Sequence, residues 1–249
     1  MLEGLLRTAE SSWQLFTRHG RWVFVELVAL GVAVDLVFLL WNPGVFGPIL
    51  GFSADLNPLT ASAFYPYLLA SSLAFTCLIA HQITRIWLAE TDGQAQPGHV
   101  MSLIRASLVP LLVIQAGIDA AFLISLLMLV LLGPVILALT TLTIPTVVIE
   151  GRGWAGFARN LNLVSGMWGR LALLWACLLL PTMIGSAIIH DWAVARMGEV
   201  SEGVAALSFA TLTDLPSTLM NAAAVCIILA VYREATQAEA GPDPSDVFR

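Results

Sequence analysis

Long apolar runs alternate with short polar joints along this chain. Runs of membrane length lie near 22–41, 64–88, 103–131, 134–149, 171–190 and 214–232. A helix of roughly 20 apolar residues crosses a hydrocarbon core about 30 Å thick, and it satisfies its own backbone groups while doing so. The alternating ten-residue segments of a transmembrane β-barrel are absent from the pattern. The expected fold is therefore all-α, a polytopic membrane bundle of about six transmembrane helices with interfacial amphipathic helices beside them.

Two stretches carry helical periodicity without membrane length. In residues 2–19, Leu2, Leu5, Leu6, Ala9, Trp13 and Phe16 share one face, opposite Glu3, Arg7, Glu10, Gln14 and Arg18. This is the pattern of a helix lying in the interface plane. In the second stretch, Trp154, Phe157, Leu161, Val164 and Trp168 form one face, with Arg159, Asn160, Asn162 and Ser165 away from it. The domain reading is an interfacial helix over 1–21, a six-span domain over 22–233 and a disordered acidic cytoplasmic tail over 234–249. Tryptophans at 22 and 41 suit the ends of span one. The run 103–149 is too long for one helix and calls for a hairpin. Gly133-Pro134 is the natural break, with Gly117 or the 126–128 region as alternatives, and Pro145 should kink or end the return helix. The outer loop Asn42–Thr60 is oily, and Asp191–Leu212 reads as an outer segment with a short amphipathic stretch. Asp214 and Pro216 read as the N-cap and early proline of span six.

Charge sets the orientation. There is no lysine, and on the six-span scheme every arginine except Arg196 falls on one side. The bias of basic residues toward cytoplasmic loops places both termini inside. With 58% hydrophobic and 11% charged residues, the composition lies far from the soluble average of about 25% charged. Residues 1–21 lack a continuous apolar region and are not expected to be a cleavable signal. The alanine-, glycine- and arginine-rich usage suggests a bacterial chain, hence the inner membrane. A net charge of −6, with acids gathered in the tail, suggests no nucleic-acid partner.

Leu131–Ala138 (LLGPVILA), Ile144–Gly151 (IPTVVIEG) and Gly156–Gly166 (GFARNLNLVSG) together resemble the membrane-domain family of glycerophosphoryl diester phosphodiesterases and related free-standing bacterial membrane proteins. That family shows a Pro-Gly break, a helix ending Pro-x-x-x-x-Glu-Gly and an amphipathic Arg-Ser-x-x-Leu-x-x-Gly segment. Here the break is Gly-Pro, and Asn160 stands in place of the serine. The family's closing Tyr-x-Asp-x-Arg is reduced to Tyr232-Arg233. The resemblance covers roughly the C-terminal half. It implies a helical membrane module without the phosphodiesterase chemistry, since these residues include no soluble catalytic barrel.

Gly151-Arg152-Gly153-Trp154-Ala155-Gly156 spells G-x-G-x-x-G, but it follows a membrane helix, so a juxtamembrane turn is expected rather than a nucleotide site. Cys77, Cys177 and Cys226 all fall in spans and read as small buried residues. No catalytic cluster, metal site or cofactor is expected, because His19, His81, His99 and His190 are scattered without ligand spacing. The candidate intramembrane polar residues are Glu26, Asp35, His81, Arg85 and Asp119, joined by Gln115 and Asn221. Charges in a span cost about 2.5–3.5 kcal/mol on insertion scales and normally find a partner in the bundle. Glu26 and Arg85 fall at matching depth and are expected to pair. Arg152, Arg159 and Arg170 form the candidate basic surface for anionic lipid headgroups. Two functions follow. One is a non-enzymatic module that organises or supports partner proteins or lipids, with a membrane-protein partner or a homo-oligomer possible. The alternative is a small transporter or channel with a polar path through Asp35, Asp119, His81 and Arg85.

Overall fold

The apolar runs become helices because the backbone has no other way to satisfy its polar groups in hydrocarbon. The computed structural model describes residues 2–41, 58–91, 93, 96–128, 132–197 and 203–240. In chain order the helices are α1 (Leu2–Leu15), α2 (Arg21–Trp41), α3 (Pro58–Thr91), α4 (Pro97–Met128), α5 (Leu132–Thr140), α6 (Ala155–Val164), α7 (Trp168–Met197) and α8 (Gly203–Ala240). Wide π-type turns occupy Phe16–Gly20 and Pro145–Ile149. No strand occurs among the described residues. Four stretches among them are long and apolar enough to cross a membrane: Pro97–Phe122, Leu132–Ile149, Trp168–Trp192 and Thr211–Glu239. The chain is a multi-pass, all-helical membrane protein.

The helices group into two compact units. The first comprises Met1–Arg21, Ile79–Cys177 and Ala223–Arg249; the second comprises Trp22–Leu78 and Leu178–Ala222. In the first unit every residue from Ala224 to Tyr232 is buried, so α8 is enclosed on all sides there, as a helix apolar all round should be. Ile83, Leu111, Leu142, Val147 and Leu171 are fully buried in the same unit. Val23, Leu27 and Phe38 are buried in the second.

Several sequence expectations are corrected. One helix ends at Met128 and the next begins at Leu132, so Gly133 and Pro134 lie in the first turn of α5 rather than at a break. Both are buried there, and a first-turn proline sacrifices no helical hydrogen bond. Pro145 does interrupt the return helix: α5 stops at Thr140, and Glu150 N–H reaches back to the Pro145 carbonyl at 3.1 Å, one residue further than α-helical spacing. Asp214 and Pro216 lie inside α8, which starts at Gly203, so they cap nothing. Helix also reaches Met197 and Ala240, leaving 198–202 as the rest of the expected outer segment and carrying order into the expected tail. The oily loop expected at Asn42–Thr60 lies outside the described residues up to position 57.

Both amphipathic stretches are helical, and the side of each that packs against the protein is not its apolar face. In α1 the packed stripe is Thr8, Ser12 and Leu15, while Leu6 and Trp13 are exposed. In α6 the packed residues are Gly156, Asn160, Leu163 and Val164, while Trp154, Leu161 and the nearby Trp168 are exposed. When the surrounding solvent is lipid, large apolar side chains gain nothing by turning inward, and small or hydrogen-bonding ones make the close contacts.

Candidate functional site

The first unit concentrates its charges where α1, the α5–α6 junction and the last turns of α8 come together. The local chain explains how they are held. Asn160, fully buried, inserts its side chain into the break before Pro145. Its Oδ1 accepts from Leu142 N–H at 2.8 Å, and its Nδ2 donates to the Leu139 carbonyl at 2.6 Å. Thr146 Oγ1 donates to the Gly156 carbonyl at 2.9 Å. Gly156 fits so tightly that a Cβ there would lie 2.7 Å from Val147 Cγ2 and 2.9 Å from the Val147 backbone. Gly151 and Gly153 have φ of +64° and +52°, the left-handed region that glycine adopts without strain. The G-x-G-x-x-G run is thus a turn that seats α6.

Glu150, at the end of this junction, gathers three partners. Arg152 Nε lies 2.6 Å and Arg159 Nε 3.3 Å from its Oε2, and the Tyr232 hydroxyl donates to Oε1 at 3.3 Å. Arg159 also grips Glu239 of α8 with both terminal nitrogens, the Nη1–Oε1 distance being 2.5 Å. Hydrogen bonding to Glu239, together with the charge of Glu150, raises the pKa of Arg159 further above its ordinary value, so it stays protonated. Glu234 accepts from Arg170 Nη2 at 2.6 Å and from Thr8 Oγ1 at 2.9 Å, which ties α1 and α7 to α8. Glu90, just past the expected end of span two, receives Arg233 Nη2 at 2.5 Å and lies 3.0 Å from His19 Nε2. Burial alone would raise the Glu90 pKa, but the hydrogen bonds from Arg233 and His19 outweigh it and hold the carboxyl below its ordinary range.

The expected basic surface therefore has a different character. Arg159 and Arg170, with side chains 19% and 16% exposed, fold back onto carboxylates, and Arg152 is half exposed beside Glu150. A guanidinium on a long stem gains more from a fixed carboxylate than from water. Two arginines not assigned to this surface, Arg7 and Arg18, make no ion pair among the described residues. Both line a cleft of about 380 Å³ between α1 and α8, together with Thr8, Ser11, Gln14, Arg233, Glu234 and Gln237. Arg7 also lines a neighbouring cleft of about 760 Å³ with Glu3, Met167 and Arg170.

The intramembrane candidates divide between the units. In the first unit, half-buried Asp119 accepts from Gln115 Nε2 at 2.8 Å, one helical turn earlier. His81 and Arg85 are half-buried on α3 in that unit, and Glu26 is half-buried on α2 in the second. Asp35, 3% exposed in the second unit, accepts from the Tyr67 hydroxyl at 2.7 Å. Phe38 packs edge-on against the Tyr67 ring, with centroids 5.1 Å apart. Asp214, on α8 in the same unit, interacts electrostatically with both Asp35 and Tyr67. Sequence reasoning missed Tyr67, Asp214 and the four glutamates that hold the arginines. The available signals were Glu150 closing the Pro-x-x-x-x-Glu-Gly stretch, and Glu234 and Glu239 following an apolar helix on its last turns. The chain matches no protein-family model, no curated protein and no solved structure.

Proposed function

We propose that the protein is a non-enzymatic integral module of a bacterial inner membrane that organises or supports partner proteins or lipids. The supporting observation is how the first unit uses its charges. Glu90, Glu150, Glu234 and Glu239 are each engaged by arginine, and the resulting pairs fix α3, α6 and α7 to the end of α8, where Thr8 of α1 also bonds Glu234. Such a network builds a rigid polar surface at one end of a bundle, where headgroups and partner proteins meet it.

On this reading the chain crosses six times, with α2 and α3 as the first two spans and both termini in the cytoplasm. Cysteines introduced at Gln94 and Gly241 label only from the cytoplasmic side, and those at Asp55 and Glu199 only from outside. Labelling of Gln94 and Asp55 from the same side excludes the six-span scheme. The module reading is tested by isolating the protein from native membranes. Arg159→Glu with Arg170→Glu should reduce the recovery of associated protein and lipid more than Asp35→Asn or Asp119→Asn does.

A small transporter is the second reading, favoured by the grouping of Asp35, Tyr67 and Asp214 in the apolar second unit. Intramembrane carboxylates commonly line ion or proton paths. Loss of a measurable ion or solute flux in proteoliposomes of Asp35→Asn or Asp119→Asn, with folding intact, replaces the module reading with this one.

A further inference from the structure

We propose that the cleft between α1 and the last turns of α8 binds a glycerol- or sugar-linked bisphosphate, with one phosphate taken up at each end. The bisphosphate is either the headgroup of a diphosphatidyl lipid or a soluble molecule of the same charge pattern. This deepens the module reading by naming the lipid chemistry that the module would hold.

The argument starts from helical spacing. Arg7, Ser11, Gln14 and Arg18 recur at four, three and four residues, which puts them on one stripe of α1 and the turn after it. Across the cleft, Arg233, Glu234 and Gln237 occupy three- and four-residue spacings on α8. Both walls are therefore polar stripes, whereas the exposed Leu6 and Trp13 mark a separate apolar face of α1.

The cleft carries a surplus of positive charge. Glu234 is its one carboxylate and is already held by Arg170, while Arg233 is held by Glu90. Arg7 and Arg18 remain without a carboxylate partner among the described residues. Both guanidiniums are exposed at the cleft, where a bound anion gives each a charge-assisted partner. Hydroxyl and amide donors from Ser11, Gln14 and Gln237 complete the lining.

Eleven residues at 1.5 Å rise separate the Arg7 and Arg18 backbones by about 16 Å, and the two long side chains reaching inward can hold two phosphates joined by a short linker between them. Each end has a second basic side chain nearby. Arg7 and Arg170 line the adjoining cleft together, and Arg170 lies directly over Gly4, where a Cβ would come within 2.5 Å of its Nη1. Arg18 adjoins His19, which shares Glu90 with Arg233. The volume of about 380 Å³ has room for two phosphates and a three-carbon linker. Basic pockets on the inner side of membrane helices suit such headgroups.

The test uses the full-length protein in neutral detergent and follows thermal unfolding. The probes are a soluble sugar bisphosphate and inorganic phosphate, compared with chloride at equal ionic strength. Bicelles doped with diphosphatidylglycerol are compared with bicelles carrying the same charge as phosphatidylglycerol. A bisphosphate probe should raise the melting temperature more than its monophosphate counterpart. A response in the bicelle arm alone identifies the lipid, and a response in the soluble arm identifies the solute. Arg7→Gln and Arg18→Gln should each weaken the apparent affinity about tenfold or more, as expected for the loss of a charge-assisted bond. Arg105→Gln, an exposed arginine outside both clefts, should leave it unchanged. If a variant accumulates poorly, Ser11→Glu places a carboxylate in the cleft with both arginines intact and should abolish the same response. Equal stabilisation by mono- and bisphosphates, no response to either, or a response that survives both arginine changes overturns the site. Association with partner proteins is measured separately, so it can persist when the site fails, or fail while the bisphosphate response persists.

Discussion

Asn160 completes the backbone hydrogen bonding of Leu142 across a break in the membrane helix, accepting its N–H at 2.8 Å. The same side chain donates to the Leu139 carbonyl, so one amide serves both a donor and an acceptor that the helix leaves open. Asn160→Leu fills similar space but strands both groups. Each buried orphan costs about 1–3 kcal/mol, so the variant should melt well below the parent in detergent. An unchanged melting temperature would mean that water or another side chain takes over the role.

Gly156 makes a complementary prediction. Gly156→Ala places a methyl against the Val147 backbone, which cannot swing aside as a flexible side-chain end can. Overpacking of this kind costs about 1–3 kcal/mol. Gly166→Ala, where a Cβ meets nothing within 4 Å, serves as the control and should be close to neutral in the same melt.

In the second unit, Tyr67→Phe removes the donor to Asp35 and leaves the carboxyl buried without that bond. A loss of about 1–3 kcal/mol is expected. Asp35→Asn should be milder, because an amide oxygen still accepts from the Tyr67 hydroxyl. If the order of the two melting temperatures reverses, the aspartate carries a role beyond this hydrogen bond.

Glu90 predicts a pH dependence. Its carboxyl titrates below the ordinary value of 4.5 in the folded protein, so the folded state binds fewer protons there than the unfolded state. The stabilisation is fully present above about 4.5 and is lost as the pH falls through the depressed folded value. Melting curves from about pH 6 down to about pH 3 should steepen in the parent and flatten in Glu90→Gln. Identical acid limbs would show that the Arg233 and His19 contacts do not favour the charged form.

The legibility of the chain follows the range of the forces involved. Membrane length and helical period are local properties, so the all-helical multi-pass class, the two amphipathic helices and the interruption near Pro145 could be read from neighbouring residues. Helix ends were harder. Gly133-Pro134 and Asp214-Pro216 carry turn chemistry, yet both pairs sit within helix, because a proline at a helix start or in a membrane helix leaves few groups that neighbours cannot satisfy.

The sequence by itself determined that this chain must enter a membrane as helices, since nothing else satisfies its backbone in hydrocarbon. Only the tertiary structure decided which charges meet. Arg233 and Glu90 are 143 residues apart, and Arg170 and Glu234 are 64 apart, separations with no periodic trace in the sequence. The same holds for the amphipathic faces. In lipid an apolar stripe has no reason to point inward, so the packed sides of α1 and α6 were set by Thr8 finding Glu234 and by Asn160 finding Leu142. Hydrophobic pattern fixes depth in the bilayer, while close packing and polar pairing fix rotation and neighbours.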